Sequence, residues 1–107
     1  MRMIEYVYVL SAEMTDRLRV RAQRVGPHIV AFAVQYEALV QGAWCPIVRF
    51  DTAHGFAHRD LLHPDGRVDK EPLLWETYNV ALTFATQELK ARWKQYRQRY
   101  EEESHGS

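Results

Sequence analysis

One cysteine, Cys45, rules out an intramolecular disulfide in this 107-residue chain, as expected of a protein kept in a reducing cytoplasm. Charge of one sign is also lacking: 14 basic residues balance 14 acidic ones. That balance argues against tight, sequence-indifferent nucleic-acid binding, which needs a basic excess, though not against a local basic face. No apolar run approaches the roughly 20 residues that span a bilayer, and Met1-Arg2-Met3 leads into no signal-like apolar segment. The expectation is a cytoplasmic, membrane-free protein. With 47% hydrophobic and 26% charged residues the chain falls outside the disordered class, and its length admits one domain with a modest core.

Within that domain the patterning changes once. Residues 3–10, MIEYVYVL, carry the aromatic and β-branched types of a strand. From Arg17, Leu18, Val20 and Ala22 alternate with Arg17, Arg19 and Arg21, which predicts a half-buried strand with an arginine face. Residues 28–40 read best as a central strand, a helix being the alternative, and Gln41-Gly42 as a hairpin tip. The return strand, AWCPIVRFD, contains Pro46, which predicts a bulge or an edge position. FAHRDLLH supplies one more extended segment, closed by Pro64-Asp65-Gly66.

Beyond it, Trp75, Tyr78, Leu82, Ala85, Leu89, Trp93, Tyr96 and Tyr100 recur at three-and-four spacing. A helix from about Pro72 to Tyr100 is expected, with Glu71 and Glu76 near its positive end. The predicted fold is α+β: an antiparallel meander of four to five strands with one long C-terminal helix across one face. It forms a single domain over residues 1–102, with 103–107 a disordered tail. Such a helix is long enough to overhang a sheet of ordinary strands and expose Trp93, Tyr96 and Tyr100, so a homodimer is expected.

Residues 49–66, RFDTAHGFAHRDLLHPDG, hold three of the five histidines and three of the five aspartates. A turn at His54-Gly55 would bring Asp51, His54, His58 and Asp60 together, because period-two alternation sets His58 and Asp60 on one face. Three chemistries suit the group. His54 and His58 could act as acid and base, oriented by Asp51 and Asp60, with Arg49 or Arg59 and His63 binding a phosphate ester or RNA. A divalent metal is the second use, although the spacing matches no established metal signature and no resident cofactor is expected. The third is a structural turn whose side chains satisfy backbone groups, in a non-catalytic homodimeric or antitoxin-like module with a protein partner.

The same stretch resembles a family of small prokaryotic proteins with an R-[YF]-D-x-A-H-G-x-x-H-R-D-x-x-H-P-x-G core. Arg49, Phe50, Asp51, Ala53, His54, Gly55, His58, Arg59, Asp60, His63, Pro64 and Gly66 carry the match. More distantly it is similar to the TumE-like toxins of toxin–antitoxin operons, through Arg49, Asp51, His54 and His58. Thr52 stands where those toxins carry asparagine, and the lone His63 where they carry a histidine pair. The resemblance implies a site centred on residues 49–63 and an RNA-directed role.

Overall fold

A computed structural model describes residues 1–105. Six strands, β1 (Arg2–Val9), β2 (Asp16–Val25), β3 (His28–Val40), β4 (Ala43–Asp51), β5 (His58–Leu62) and β6 (Val68–Pro72), precede one helix, α1 (Tyr78–His105). They form a single antiparallel sheet in chain order, β1-β2-β3-β4-β5-β6. The architecture is the α+β meander expected, with six strands rather than four or five.

Cross-strand register follows from the alternation. Leu18, Val20 and Ala22 of β2 lie opposite Tyr36, Val34 and Phe32 of β3, and Tyr36 and Val34 lie opposite Val48 and Phe50 of β4. These side chains make one apolar face, almost fully buried beneath Ala81, Ala85 and Leu89 of α1. Small residues at two of those helical positions let the backbone approach the sheet. The larger rings pack to either side, Phe84 edge-on to Phe50 at 6.0 Å and Trp93 edge-on to Tyr36 at 6.2 Å.

The hairpin turns are legible in backbone angles. Gln41 (φ 51°) and Gly42 (φ 81°) both lie in the left-handed region, as a tight two-residue hairpin demands. Opposite Glu37, Pro46 coincides with a register shift between Tyr36 and Glu37, so β4 stays in the interior of the sheet and accommodates its missing donor through a bulge.

Four expectations about the C-terminal third need correction. Pro72 does not open the helix; it ends β6, an exposed strand of sequence VDKEP. Glu71 therefore lies in a strand, and the first turn of α1 holds no acidic residue. The helix starts instead at a threonine cap, where the Val80 backbone N–H donates to Thr77 Oγ1 at 3.1 Å. Trp75, expected to begin the apolar stripe, precedes the helix and packs its ring 5.0 Å from that of Phe84. The tail expected over 103–107 is helical as far as His105, and residues 106–107 lie outside the described residues. Finally, Trp93, Tyr96 and Tyr100 do not overhang; all three pack against the core of their own chain. The reason is strand length: α1 runs along β3, from Asn79 bonded to the Ile29 N–H to Arg97 bonded to the Leu39 carbonyl, and this 13-residue strand gives the helix a longer bed than a strand of ordinary length would. No helix among the described residues is long and apolar enough to cross a membrane.

Candidate functional site

The face of the sheet away from α1 is largely polar over β2, β3 and β4. Glu5 of β1, Arg17, Arg19 and Arg21 of β2, Gln35 and Glu37 of β3, and Arg49 and Asp51 of β4 all alternate with core residues and so share this open face. Their charges are largely spent on one another. Arg17 Nε donates to Glu37 Oε1 at 2.8 Å and its guanidinium lies 3.7 Å over the Trp44 ring. Arg21 pairs with Glu5 at 3.0 Å, Gln35 Nε2 donates to Glu37 Oε2 at 2.6 Å, and Arg49 Nε donates to Gln35 Oε1 at 2.7 Å. An arginine series engaged in this way is a solvated ion-pair lattice rather than a free phosphate track.

At one end of that face stands the histidine run. β4 pairs with β5 so that Arg49 opposes Asp60 and Asp51 opposes His58. The connection is turned by a hydrogen bond from the Gly55 N–H to the Thr52 carbonyl, with Gly55 at φ 84°, a conformation suited to glycine. Alternation then puts Asp51, His58 and Asp60 on one side, as their spacing predicts.

His58 Nε2 lies 2.8 Å from Asp51 Oδ1 and 3.6 Å from Asp60 Oδ1. Its Nδ1 lies 3.3 Å from the Phe56 carbonyl. Lys70, reaching across from β6, donates to both Asp60 oxygens at 3.2 and 3.1 Å. Asp51 also accepts the Ala53 backbone N–H at 3.2 Å. The His58 side chain retains only 2% of its exposure, against 12% for Asp51 and 7% for Asp60. The exposed His54 ring stacks on His58, with centroids 5.5 Å apart and planes 30° apart, and Phe56 flanks the same ring at 5.6 Å. One nitrogen and two carboxylate oxygens, one from each of His58, Asp51 and Asp60, lie within 4.8 Å of one another, close enough to hold a cation jointly.

Two expected members lie elsewhere. Arg59 is on the helix face, where it donates to the Tyr96 hydroxyl at 3.2 Å and to Glu71 at 2.8 Å. His63, also of helix-face parity, is held between Asp69 (Nε2, 2.7 Å) and Glu103 (Nδ1, 2.7 Å). Arg49 remains on the open face, beside Asp60 in register, with its guanidinium given to Gln35. Sequence reasoning missed Lys70, because β6 was not foreseen. Only the turn residues Pro64-Asp65-Gly66 hinted at a return strand; Val68-Asp69-Lys70-Glu71 itself carries no apolar alternation. A concavity of about 350 Å³ on the open face, lined by Arg21, Ala33, Thr52 and others, touches Asp51 but is not lined by His54, His58 or Asp60.

His63 and Glu103 form a second acid–base contact with a testable pH signature. Hydrogen bonds to Glu103 and then Asp69 raise the His63 pKa above its ordinary 6.5. The bond from His63 lowers that of Glu103 below 4.5, although slight burial opposes it. A raised histidine stabilises the fold fully below its unfolded value and loses that contribution as pH rises through the folded one. A lowered glutamate contributes above its unfolded value and loses that contribution as pH falls through its folded one. Both act together between about pH 4.5 and 6.5. The melting-temperature difference between the wild type and His63→Ala should therefore be larger at pH 6 than at pH 9. An equal difference at both would remove the pair from the stability of the fold.

A family model described as a domain of unknown function (DUF7718) matches residues 1–106. No curated protein and no solved structure matches the chain.

Proposed function

We propose, for a chain that belongs to the DUF7718 family, that it is a non-catalytic interaction module of the cytoplasm whose histidine run is a structural clasp. The observation that carries this is the state of His58: at 2% exposure its ring is enclosed, and both nitrogens face protein acceptors. A general acid or base must meet its substrate's proton, and this ring has no open side. The exposed His54 meets His58 face to face, an arrangement that does not relay a proton between ring nitrogens. The clasp joins three strands: Asp51 from β4, His58 and Asp60 from β5, Lys70 from β6. Asp51 faces His58 Nε2 and the Ala53 N–H, and Asp60 faces Lys70 and His58, so neither buried carboxylate is left without a partner. The acid–base, RNA or phosphate-ester reading, with Arg49, Arg59 and His63 as binding residues, has less support because Arg59 and His63 lie on the opposite face.

A second reading is favoured by one specific feature. The Phe56 carbonyl can only accept, so the proton belongs on Nδ1, and Nε2 is left pointing at two carboxylates. That tautomer, fixed by a backbone carbonyl, is how histidines are commonly presented to metals, and a divalent cation could sit between Nε2 and the two carboxylates. Two carboxylates and one imidazole suit Mn²⁺ or Zn²⁺.

One comparison separates these readings. The clasp predicts that His58→Ala lowers stability by about 1–3 kcal/mol, because buried partners are left unsatisfied. The same loss should be found in EDTA and in millimolar Mn²⁺ or Zn²⁺. A wild-type melting temperature that rises with either ion, by an increment absent from His58→Ala, would replace the clasp with a metal centre. An unchanged melting temperature in His58→Ala, together with no ion-dependent rise in the wild type, would overturn both.

A further inference from the structure

The two edges of the sheet are built differently. β6 offers five exposed residues, among them Asp69, Lys70, Glu71 and Pro72: charges and a proline, the usual guards of an unpaired edge. β1 has eight residues with no lysine, proline, glycine or register shift, and Met3, Tyr6, Val7, Tyr8 and Val9 are each 44–53% exposed. An unguarded apolar edge of this length is a template for another strand.

The backbone shows which groups are on offer. The Leu10 N–H bonds to the Asp16 carbonyl at 2.8 Å, and the register from Val9↔Arg17 to Arg2↔Arg24 is unbroken. In an antiparallel pair, hydrogen-bonded residues alternate, so Ile4, Tyr6 and Tyr8 turn their N–H and C=O groups toward β2. Met3, Glu5, Val7 and Val9 therefore turn theirs outward, into an open ladder.

We infer that β1 pairs antiparallel with β1 of a second copy of this chain, about a two-fold axis at Val7. This rests on the interaction-module reading and gives that module its partner. Among nearby registers, a two-fold at Glu5 would oppose two carboxylates directly. A two-fold at Val7 sets Val7 against the partner subunit's Val7 in a bonded pair and Glu5 against the partner subunit's Val9. On the helix-side face Tyr6 then meets the partner subunit's Tyr8, an aromatic cross-strand pair. On the open face each Glu5 falls in a row with Arg21 on its own side. Beyond the partner subunit's Val9, that row continues to the partner subunit's Arg17. Negative charge thus sits between positive charges rather than against its own kind. Among the described residues the sheet has two edges and β6 is guarded, so each copy offers β1 alone and the assembly closes at two.

Sedimentation and amide exchange test this in the intact protein. At micromolar concentration the wild type should sediment as a dimer, with slowed exchange at Glu5, Val7 and Val9. Val7→Lys, a change at a position 53% exposed, should give a folded monomer with those amides exchanging at least tenfold faster. Val68→Lys, on the opposite edge, should leave the dimer intact. A wild-type monomer overturns the inference while leaving the clasp standing, since His58→Ala tests that separately. A dimer that survives Val7→Lys, or that exchanges rapidly at these three amides, overturns it as well.

Discussion

Asp16→Ala should destabilise the protein by about 3 kcal/mol or more, among the largest losses available from a single polar side chain. Asp16 begins β2, and its side chain is only 3% exposed. Burial pushes its carboxyl toward the neutral form, but hydrogen bonds from Tyr36, Arg97, Thr15 and Ser11 outweigh that and hold its pKa below the ordinary carboxylate value. The Tyr36 hydroxyl donates to it at 2.5 Å, Arg97 Nη1 at 2.8 Å and Thr15 Oγ1 at 2.9 Å. Removing the carboxylate strands a buried phenol and part of a guanidinium at once. Arg97 keeps Glu101 and the Leu39 carbonyl, which places the cost at the lower end of the range for a broken buried pair. For a domain of this size the melting temperature should fall by more than about 10 °C. Asp16 is a depressed acid, so the wild-type advantage should persist above pH 3.8 and fade as pH falls through the lower folded value. A loss below about 1 kcal/mol would mean that α1 is not fastened to the sheet through this residue.

The second large effect is expected at Leu89. It is fully buried, one helical turn from Ala85, in the core cluster with the apolar face of the sheet. Leu89→Ala removes transfer energy and leaves a cavity, at a cost of about 2–5 kcal/mol. The informative control is Leu74, 95% exposed between β6 and α1. Leu74→Ala should stay within about 0.5 kcal/mol of the wild type. Denaturant titrations of both variants provide the check, and comparable losses would contradict the packing described.

The alternation Leu18-Val20-Ala22 against Arg17-Arg19-Arg21 displays β2 in the sequence itself, and the Gln41-Gly42 tip marks the β3–β4 hairpin. Both are local signals, and local signals survive in a sequence. The convergence of Asp51, His58 and Asp60 was legible for the same reason: one turn and a period of two suffice to derive it. β6 was not legible, because Asp69, Lys70 and Glu71 are poor strand formers and the strand exists only by pairing with β5. Missing it hid Lys70, and with it the cation that pairs with Asp60. It also moved the expected start of the helix forward to Pro72, when Thr77 was the capping residue. Arg59 and His63 share the histidine run but not its face; parity already separated His63 from His58, whereas motif likeness grouped them.

The order of the sheet has a consequence for the order of synthesis. Every strand is bonded to its neighbours in the chain and to no others, so the sheet can be assembled hairpin by hairpin as the polypeptide emerges, with each loop closed over a short distance. α1 emerges after all six strands, yet its bed lies on β3 and β4 in the middle of the sheet. Until it arrives, Phe32, Val34, Tyr36 and Phe50 form a bare apolar surface on a nascent chain that also carries an unguarded first edge. That interval, rather than the finished fold, is where the physics of an uncovered apolar face makes misassociation most expected.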